Sequence, residues 1–261
     1  MNKEKFSTTN RYGLKIIGEV LIPEHSIGLS FVVHPLGGHT QQHIMQTLAQ
    51  TLFDNNYMVV NFDATHSFGE SEGNHERATI QFHYEDLVDI ISWSKSQKWY
   101  TEPFVLVGYS LGGYAVARYA EEYSFEVKAV FPHALLVSGE LSHEAYEKNG
   151  ELRKWKESGW RITKSQSKPG LVKRLPWAHM EERLKHDLLP GALQITAPIL
   201  FVVGEKDESC PPEHNKMFFD AVENAKEREF HIVKNAPHTF REPEHLKELS
   251  KLFDNWLKKI S

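Results

Sequence analysis

The amino-acid sequence predicts an α/β fold with a mostly parallel central sheet flanked by helices. Short runs of β-branched and aromatic residues alternate with longer segments of helical periodicity, a pattern typical of strands joined by covering helices. The strand-like runs are continuously apolar, which indicates strands buried on both faces. Six such runs follow one another along the chain: Leu29–Val33, Met58–Phe62, Phe104–Gly108, Val127–Phe131, Ile199–Val203 and Phe230–Val233.

The intervening helices are indicated by apolar residues that recur three or four positions apart. Three stripes of this kind stand out: Ile44, Leu48 and Leu52; Leu87, Ile90 and Ile91; and Leu246, Leu249, Phe253, Trp256 and Leu257. Before the first apolar run, the stretch Leu14–Ile22 is expected to supply an antiparallel pair of opening strands. Strands and helices together account for one domain core.

One long segment departs from this rhythm and predicts an insertion. Between Gly139 and Gln194 the chain carries eleven lysines and arginines against eight aspartates and glutamates, and three of its six tryptophans. Its charge of +3 contrasts with −5 for the whole chain. We therefore expect residues 1–137 and 195–261 to form the core and residues 138–194 to form a cap over the active site. A plain surface excursion is the alternative.

Composition and charge limit the class of protein. The 261 residues include 40% hydrophobic and 25% charged residues, as in ordinary soluble enzymes. The negative net charge disfavours nucleic acid and anionic membranes as partners, and no apolar run is long enough to span a bilayer. The single cysteine, Cys210, excludes an intramolecular disulfide. We expect a cytoplasmic protein, although a secreted chain without its signal peptide would show the same pattern.

The first chemical motif is the sequence Gly-Tyr-Ser-Leu-Gly-Gly at 108–113. It matches G-x-S-x-G, and it lies between a buried strand and a helix-compatible segment, which is the context this motif requires. A sharp strand-to-helix turn would project the side chain of Ser110, while Gly108 and Gly112 would remove Cβ atoms that collide across the turn. Ser110 is therefore the predicted nucleophile, and a simple glycine-rich turn is the alternative.

A second motif, His-Pro-Leu-Gly-Gly at 34–38, follows the first parallel strand. Acyl transfer passes through an oxyanion that needs two preorganised N–H donors. The residue after the nucleophile, Leu111, supplies one. Pro35 has no N–H group, so the other is expected from Leu36, with Gly37 as the alternative. His34 is expected to orient this loop.

Acid and base candidates follow the last two predicted strands. Asp207 lies beyond the run Ile199–Val203, and His238 lies between the last strand and the last helix. Loops at the carboxyl ends of parallel strands meet at one edge of a sheet, so both side chains are expected near Ser110. His238 would act as general base and Asp207 would orient it. Glu205 and Glu208 are the rival acids.

Metal and nucleotide motifs are weak or missing in the sequence. His39 and His43 have the i, i+4 spacing of zinc ligands, but the glutamate of H-E-x-x-H is absent and no third ligand suggests itself. Neither a phosphate-binding loop nor a dinucleotide fingerprint is present. We predict no metal site, and Cys210 is expected to be structural.

These motifs together resemble the α/β-hydrolase superfamily across nearly the whole chain outside the cap. The stretch from Asp63 to Gly73 also resembles the D-x-R-G-x-G-x-S loop of that superfamily, although it is one residue longer and lacks the arginine. With the size of the cap, the chain is most similar to small carboxylesterases that include cinnamoyl and feruloyl esterases. That resemblance implies an α/β-hydrolase fold, a small-molecule ester as substrate and no cofactor.

The predicted activity is hydrolysis of a carboxylic ester through an acyl-enzyme intermediate. A thioesterase or an acyltransferase would use the same Ser110, His238 and Asp207. A binding protein that keeps the hydrolase fold without catalysis is the competing class, and covalent labelling by a fluorophosphonate would distinguish the two.

Overall fold

The computed structural model describes residues 2–165, 168 and 170–260. Its centre is a sheet of eight strands in the order β1-β2-β4-β3-β5-β6-β9-β10. Strand β2 is antiparallel to both of its neighbours, β1 and β4, and the remaining pairs from β4 to β10 are parallel. The strands are β1 Asn2–Thr9, β2 Lys15–Ile22, β3 Gly28–Val33, β4 Tyr57–Asp63, β5 Phe104–Tyr109, β6 Val127–His133, β9 Ile199–Lys206 and β10 Arg228–Pro237.

Helices cover both faces of this sheet. In chain order, the helices of the described residues are α1 His43–Asp54, α2 Ile80–Ser94, α3 Leu111–Glu122, α4 Gly139–Lys148, α5 Leu152–Ser158, α6 Trp177–Arg183, α7 Pro212–Ala221 and α8 Pro243–Ile260. Short 3-10 turns occupy His75–Arg77, Ser124–Glu126 and Leu189–Gln194. Helices α1 and α8 pack on one face of the sheet, and α2, α3 and α7 pack on the other. The predicted α/β architecture, with a mostly parallel sheet between two helical layers, is confirmed.

The burial of the central strands explains why their sequences are mostly apolar. Every residue of β4 and of β5 is buried, because helices remove both faces from water. Helix α8 has one buried stripe, formed by Leu249, Phe253, Trp256 and Leu257, which is the spacing of a single helical face. All six apolar runs of the sequence fall within parallel strands of the sheet.

The opening of the chain differs from the prediction. Leu14–Ile22 does not form two strands: it contributes only β2, and the antiparallel partner of β2 is the preceding segment Asn2–Thr9. Strand β1 lies at the edge of the sheet and its residues are mostly exposed. Lysines and a glutamate on such an edge discourage pairing with other chains, and they also hide the strand from a search for apolar runs.

Residues 138–194 contain helices α4, α5 and α6 and a two-stranded hairpin of β7 Trp160–Lys164 and β8 Val172–Pro176. The segment has a small apolar cluster of its own, formed by Leu152, Trp155, Leu175 and Met180. Most residues of the hairpin are exposed or half-buried, so its strands lack the apolar signal of the central sheet. Within the described residues, no helix is long and apolar enough to cross a membrane.

The strand order creates a crevice at one edge of the sheet. From β3 the chain moves outward to β4, and then crosses back to β5 on the other side of β3. Loops that follow neighbouring strands separate at such a reversal, and ligands of open α/β sheets bind there. The loops after β3, β5, β9 and β10 all leave the sheet at this carboxyl edge.

Candidate active site

Ser110 occupies the turn between β5 and α3 in a strained backbone conformation. Its φ of 56° and ψ of −112° lie where residues with a Cβ are rarely found. The N–H of Ser110 donates to the carbonyl of His133 at 2.9 Å, and its own carbonyl accepts from the N–H of Tyr114 at 3.1 Å. These bonds hold the turn, so the side chain projects from the sheet edge as the motif predicts.

Two glycines make this turn possible because backbone atoms pass too closely for a side chain. A Cβ on Gly112 would penetrate the carbonyl oxygen of Val33, and a Cβ on Gly108 would penetrate the carbonyl of Gly112. The glycines of the motif therefore permit close contact of α3 with β3 and β5.

Gly112→Ala is expected to lower the free energy of unfolding by about 1–3 kcal/mol, the usual cost of overpacking. Urea unfolding measures the effect. Gly113→Ala is the matched control in the same helix, since its Cβ would meet no atom closer than 3.4 Å and alanine favours helix. Equal stability of the two variants would contradict this reading of the turn.

The three residues predicted from the sequence meet at the sheet edge. The Nδ1 of His238 lies 2.7 Å from Oδ2 of Asp207, and its Nε2 lies 3.1 Å from Oγ of Ser110. Asp207 is 31 residues and Ser110 is 128 residues from His238 in the sequence. The rival acids lie elsewhere: Glu205 accepts from the N–H of Asn235 at 2.8 Å, and Glu208 is exposed.

Surrounding hydrogen bonds fix the orientation of Asp207 and His238. The carboxylate of Asp207 is fully buried, and its Oδ1 accepts from the N–H groups of Ser209 and Cys210 at 2.9 and 2.8 Å. Because an ionised carboxylate can only accept, His238 must donate from Nδ1. Its Nε2 is then left as an acceptor for the hydroxyl proton of Ser110.

Tyr109 contacts His238 through a hydrogen bond and through its ring, a role that the sequence motif did not reveal. Its hydroxyl donates to the backbone carbonyl of His238 at 2.5 Å, and the two ring centroids are 5.2 Å apart. Burial raises the pKa of Tyr109 well above its ordinary value, so the phenol stays a neutral donor. Tyr109 is the variable residue between the glycine and the serine of the motif, and only the structure shows its contact.

The loop after β3 places Leu36 beside the turn of Ser110, since Leu36, Ser110 and Leu111 line one cavity. Among the described residues, no protein acceptor is bonded to the N–H of Leu36 or of Leu111. His34 holds this loop as predicted: its Nε2 accepts from the N–H of Ala64 at 2.9 Å, and its Nδ1 faces the carbonyl of Pro35 at 2.8 Å. Burial lowers the pKa of His34, which favours the neutral ring that can both donate and accept.

Asp63, at the end of β4, joins the loop after β4 to the loop after β3 through hydrogen bonds. Its two carboxylate oxygens accept from the N–H groups of Thr40 and Glu70, each at 2.7 Å. A Cβ on Gly69 would overlap this carboxylate, so the loop wraps tightly around it. The stretch that resembles the D-x-R-G-x-G-x-S loop therefore braces the segment after Leu36.

A cavity of about 610 Å³ opens above Ser110. Its floor includes Tyr109, Ser110 and His238, and its walls include side chains of β7, β8 and α6 from the segment 138–194. Cys210 also lines it, but burial raises the pKa of this thiol well above its ordinary value. In the part of the chain that the structure describes, no cluster of three or more His, Cys, Asp and Glu side chains is arranged to hold a metal ion.

The sheet order and the strand–turn–helix around Ser110 give the molecule the α/β-hydrolase fold, which confirms the fold predicted from the motifs. A sequence model of the prolyl oligopeptidase family (Peptidase_S9) matches residues 42–261. The chain therefore belongs to that family. The motifs alone indicate the superfamily and do not single out this family within it.

Two relatives match most of the chain at low sequence identity. An uncharacterized 31.7 kDa protein of Escherichia coli is 23% identical over 246 residues, which cover 83% of this chain and 85% of that protein. The mouse mitochondrial palmitoyl-protein thioesterase ABHD10 is 23% identical over 203 residues, or 77% of this chain and 66% of that protein.

Among solved structures, Est1E of Butyrivibrio proteoclasticus with bound ferulic acid has a TM-score of 0.80 at 18% identity, covering 97% of this chain and 98% of its own. Mouse α/β-hydrolase domain-containing protein 10 has a TM-score of 0.79 at 19% identity, covering 99% of this chain and 100% of its own. At these identities the likeness concerns the fold.

Proposed function

We propose that this protein is a serine hydrolase that cleaves carboxylic esters through an acyl-enzyme intermediate. Ser110 is the nucleophile, His238 the general base and Asp207 the acid that orients the base. The observation that carries the proposal is the hydrogen-bonded chain from Asp207 through His238 to Ser110, with distances of 2.7 and 3.1 Å. This arrangement matches the geometry by which serine hydrolases are recognised.

Proton transfer follows from the hydrogen bonds around His238. Its Nε2 takes the hydroxyl proton of Ser110 as the oxygen attacks the ester carbonyl, and returns that proton to the departing alkoxide. Asp207 keeps the proton on Nδ1 and stabilises the imidazolium. Water then repeats the sequence on the acyl group, so the carboxylic acid leaves and Ser110 is regenerated.

The oxyanion formed at each attack is held by the N–H groups of Leu36 and Leu111. Both residues line the cavity with Ser110. Leu111 is the first residue of α3, where helix N–H groups lack intrahelical acceptors and favour negative charge. Leu36 is the preferred second donor, since its N–H meets no protein acceptor in the described ranges, and Gly37 is the alternative.

Residues 138–194 form a cap that completes the substrate pocket, and residues 1–137 and 195–261 form the catalytic core. The support is the position of Tyr146, Arg161, Lys173 and Arg183, which line the cavity above Ser110. A cap over the site limits the entry of water and binds the part of a substrate that does not react.

A thioester is the second candidate substrate class, since the same Ser110 and His238 would cleave it. The observation that favours it is the similarity to a mouse protein named palmitoyl-protein thioesterase. An ester and a thioester differ in the leaving group, so matched substrates with one acyl chain separate the two activities.

The test is a panel of p-nitrophenyl esters from acetate to long acyl chains, with methyl ferulate, matched thioesters and a peptide amide. The purified protein is compared with Ser110→Ala. Ester turnover that the variant loses supports the proposal, and the acyl preference then defines the pocket. Turnover of thioesters or of the amide alone would reassign the substrate, and an unaffected variant would refute Ser110 as nucleophile.

Asp207→Asn is expected to lower kcat by about four orders of magnitude, as the wrong histidine tautomer does in other serine hydrolases. The asparagine oxygen can keep the bonds from the N–H groups of Ser209 and Cys210, which turns its amide N–H₂ toward Nδ1 of His238. His238 would then carry its proton on Nε2 and could not accept from Ser110. Steady-state kinetics measure the loss, and a mild effect would show that another group orients His238.

A further inference from the structure

The cavity above Ser110 has a charge opposite to that of the chain. Among the described residues, its lining includes five lysines and arginines against one carboxylate, Glu151, although the whole chain carries a net charge of −5. Such a concentration of one sign in a concave site attracts ligands of the opposite sign. The five cationic residues are Arg161, Lys164, Lys173, Arg183 and Arg241.

Arg183 is the least expected of these residues because it is buried and none of the described residues is its counter-ion. Arg183 is the last residue of α6 and is 4% exposed. Nη1 donates to Oγ of Ser142 at 2.6 Å and Nη2 donates to Nε2 of His179 at 2.9 Å, both neutral partners. Its Nε has no partner, and no carboxylate of the described residues pairs with the guanidinium. A buried charge left in this state is costly unless a ligand neutralises it.

Lys173 is a second cation of the cavity, and it lies against the loop that contains Leu36. It extends from β8, and its Nζ lies 3.4 Å from the carbonyl of Leu36 in the loop that faces Ser110. Within the described ranges no carboxylate forms an ion pair with Lys173. Burial removes water from the lysine ammonium group, and one carbonyl oxygen replaces only part of the lost hydration.

Arg161 lies near both of these cations: its charge acts on Lys173, and its guanidinium contacts the same aromatic ring as that of Arg183. Its guanidinium lies over the ring of Tyr146 at 5.0 Å, and that of Arg183 lies 5.8 Å from the same ring. Arg161 also pairs with Glu151 at 2.7 Å. The three cations therefore line one part of the cavity, and Glu151 is the one carboxylate among the described lining residues. We call Arg161, Lys173 and Arg183 the cationic cluster.

We infer that the cationic cluster binds a negatively charged group of the substrate, a carboxylate or a phosphate, on either the acyl or the alcohol part of the ester. This inference rests on the proposed ester hydrolysis at Ser110. Guanidinium groups match the planar geometry of carboxylate and the oxygens of phosphate, and lysine adds a compact charge. Binding would supply the partner that Arg183 and Lys173 lack and would place the ester carbonyl over Ser110.

The test compares kcat/KM for anionic esters with that for neutral esters of similar size. Monomethyl glutarate against methyl pentanoate places a carboxylate on the acyl part. Acetoxypropanoate and acetoxypropyl phosphate, each against propyl acetate, place a carboxylate or a phosphate on the alcohol part. At least one anionic ester is expected to exceed its neutral partner by about tenfold or more, since hydrogen bonds to charged groups are the strong ones.

The outcomes separate this inference from the proposed function. Turnover of neutral esters with no preference for any anionic partner would overturn the inference and leave ester hydrolysis standing. Absence of turnover on every ester would overturn the proposed function and the inference with it. The arm that is preferred identifies the charged group and the side of the ester that carries it.

Lys173→Met is expected to lower the ratio of anionic to neutral kcat/KM about tenfold, and Lys173→Arg is expected to keep most of it, because the charge remains. Lys173 is preferred to Arg183 for this test because the bonds of Arg183 to Ser142 and His179 also hold the fold. Lys154→Met is the matched control, since Lys154 is exposed on α5 and does not line the cavity. An unchanged ratio in Lys173→Met would contradict the inference.

The pH dependence gives an independent readout. Burial, and then the charge of Arg161, lower the pKa of Lys173 to about 8. The groups around it are Arg161 on β7, His75, whose pKa burial lowers to about 4, and Glu76, which pairs with Arg174. Lys173 is charged below pH 8, so the anionic preference should fall as pH rises through about 8 and should persist in Lys173→Arg. The pH dependence of the proposed general base affects both esters equally, so it cancels in the ratio of anionic to neutral kcat/KM. A ratio independent of pH would contradict a role for Lys173.

Discussion

Ser110→Ala is expected to lower ester turnover by roughly a millionfold, the scale seen when a serine hydrolase loses its nucleophile. The Oγ of Ser110 lies 3.1 Å from Nε2 of His238, and alanine has no oxygen to attack the carbonyl. The variant should fold normally, because the backbone bonds of residue 110 to His133 and Tyr114 do not involve the side chain. Steady-state kinetics with a p-nitrophenyl ester and thermal unfolding by circular dichroism measure both effects.

Ser7→Ala is the control for this experiment, since Ser7 is exposed on the edge strand β1. It should match the wild type in turnover and in Tm. Turnover near the wild-type level in Ser110→Ala would show that another group attacks the ester. Cys210 is the nearest alternative because it lines the same cavity, but the raised pKa of its thiol disfavours the thiolate that attack requires.

His238→Ala is expected to lower kcat by about four orders of magnitude or more. Without its imidazole, no group accepts the hydroxyl proton of Ser110, and the buried carboxylate of Asp207 loses the partner at 2.7 Å. The truncation leaves a space the size of the ring beside Tyr109. Added imidazole should enter that space and restore part of the activity, which a merely structural role of His238 would not allow.

The control for this variant is His231→Ala, a half-buried histidine on β10 that contacts Glu229 at 3.0 Å. Its turnover should stay close to that of the wild type. A small effect of His238→Ala, or an equal effect of both substitutions, would mean that a different histidine is the base.

The residues of the candidate site could be predicted because each follows a recognisable strand. Ser110, Asp207 and His238 directly follow β5, β9 and β10, and the carboxyl ends of parallel strands share one edge. Their meeting within hydrogen-bond distance therefore depends on the order of the strands more than on local detail. The glycines at 108 and 112 were predictable for the same reason, since the turn leaves no room for a side chain.

Other parts of the molecule could not be predicted in this way. Strand β1 has an exposed, charged sequence because it lies at the edge of the sheet. The hairpin of β7 and β8 is mostly exposed or half-buried, so its own sequence carries little strand signal. The positive charge of that segment was visible in the sequence, but the unpaired state of Arg183 and Lys173 depends on which carboxylates the fold places nearby.

The central claim, that Ser110 is an activated nucleophile, is tested most directly by fluorophosphonate labelling. The wild-type protein is incubated with a fluorophosphonate, its intact mass is measured, and the modified peptide is sequenced by tandem mass spectrometry. We predict one phosphonyl group, on Ser110, parallel loss of ester turnover, and little labelling of His238→Ala. A protein that stays unlabelled, or that carries the label elsewhere while hydrolysing esters, would contradict the assignment of Ser110.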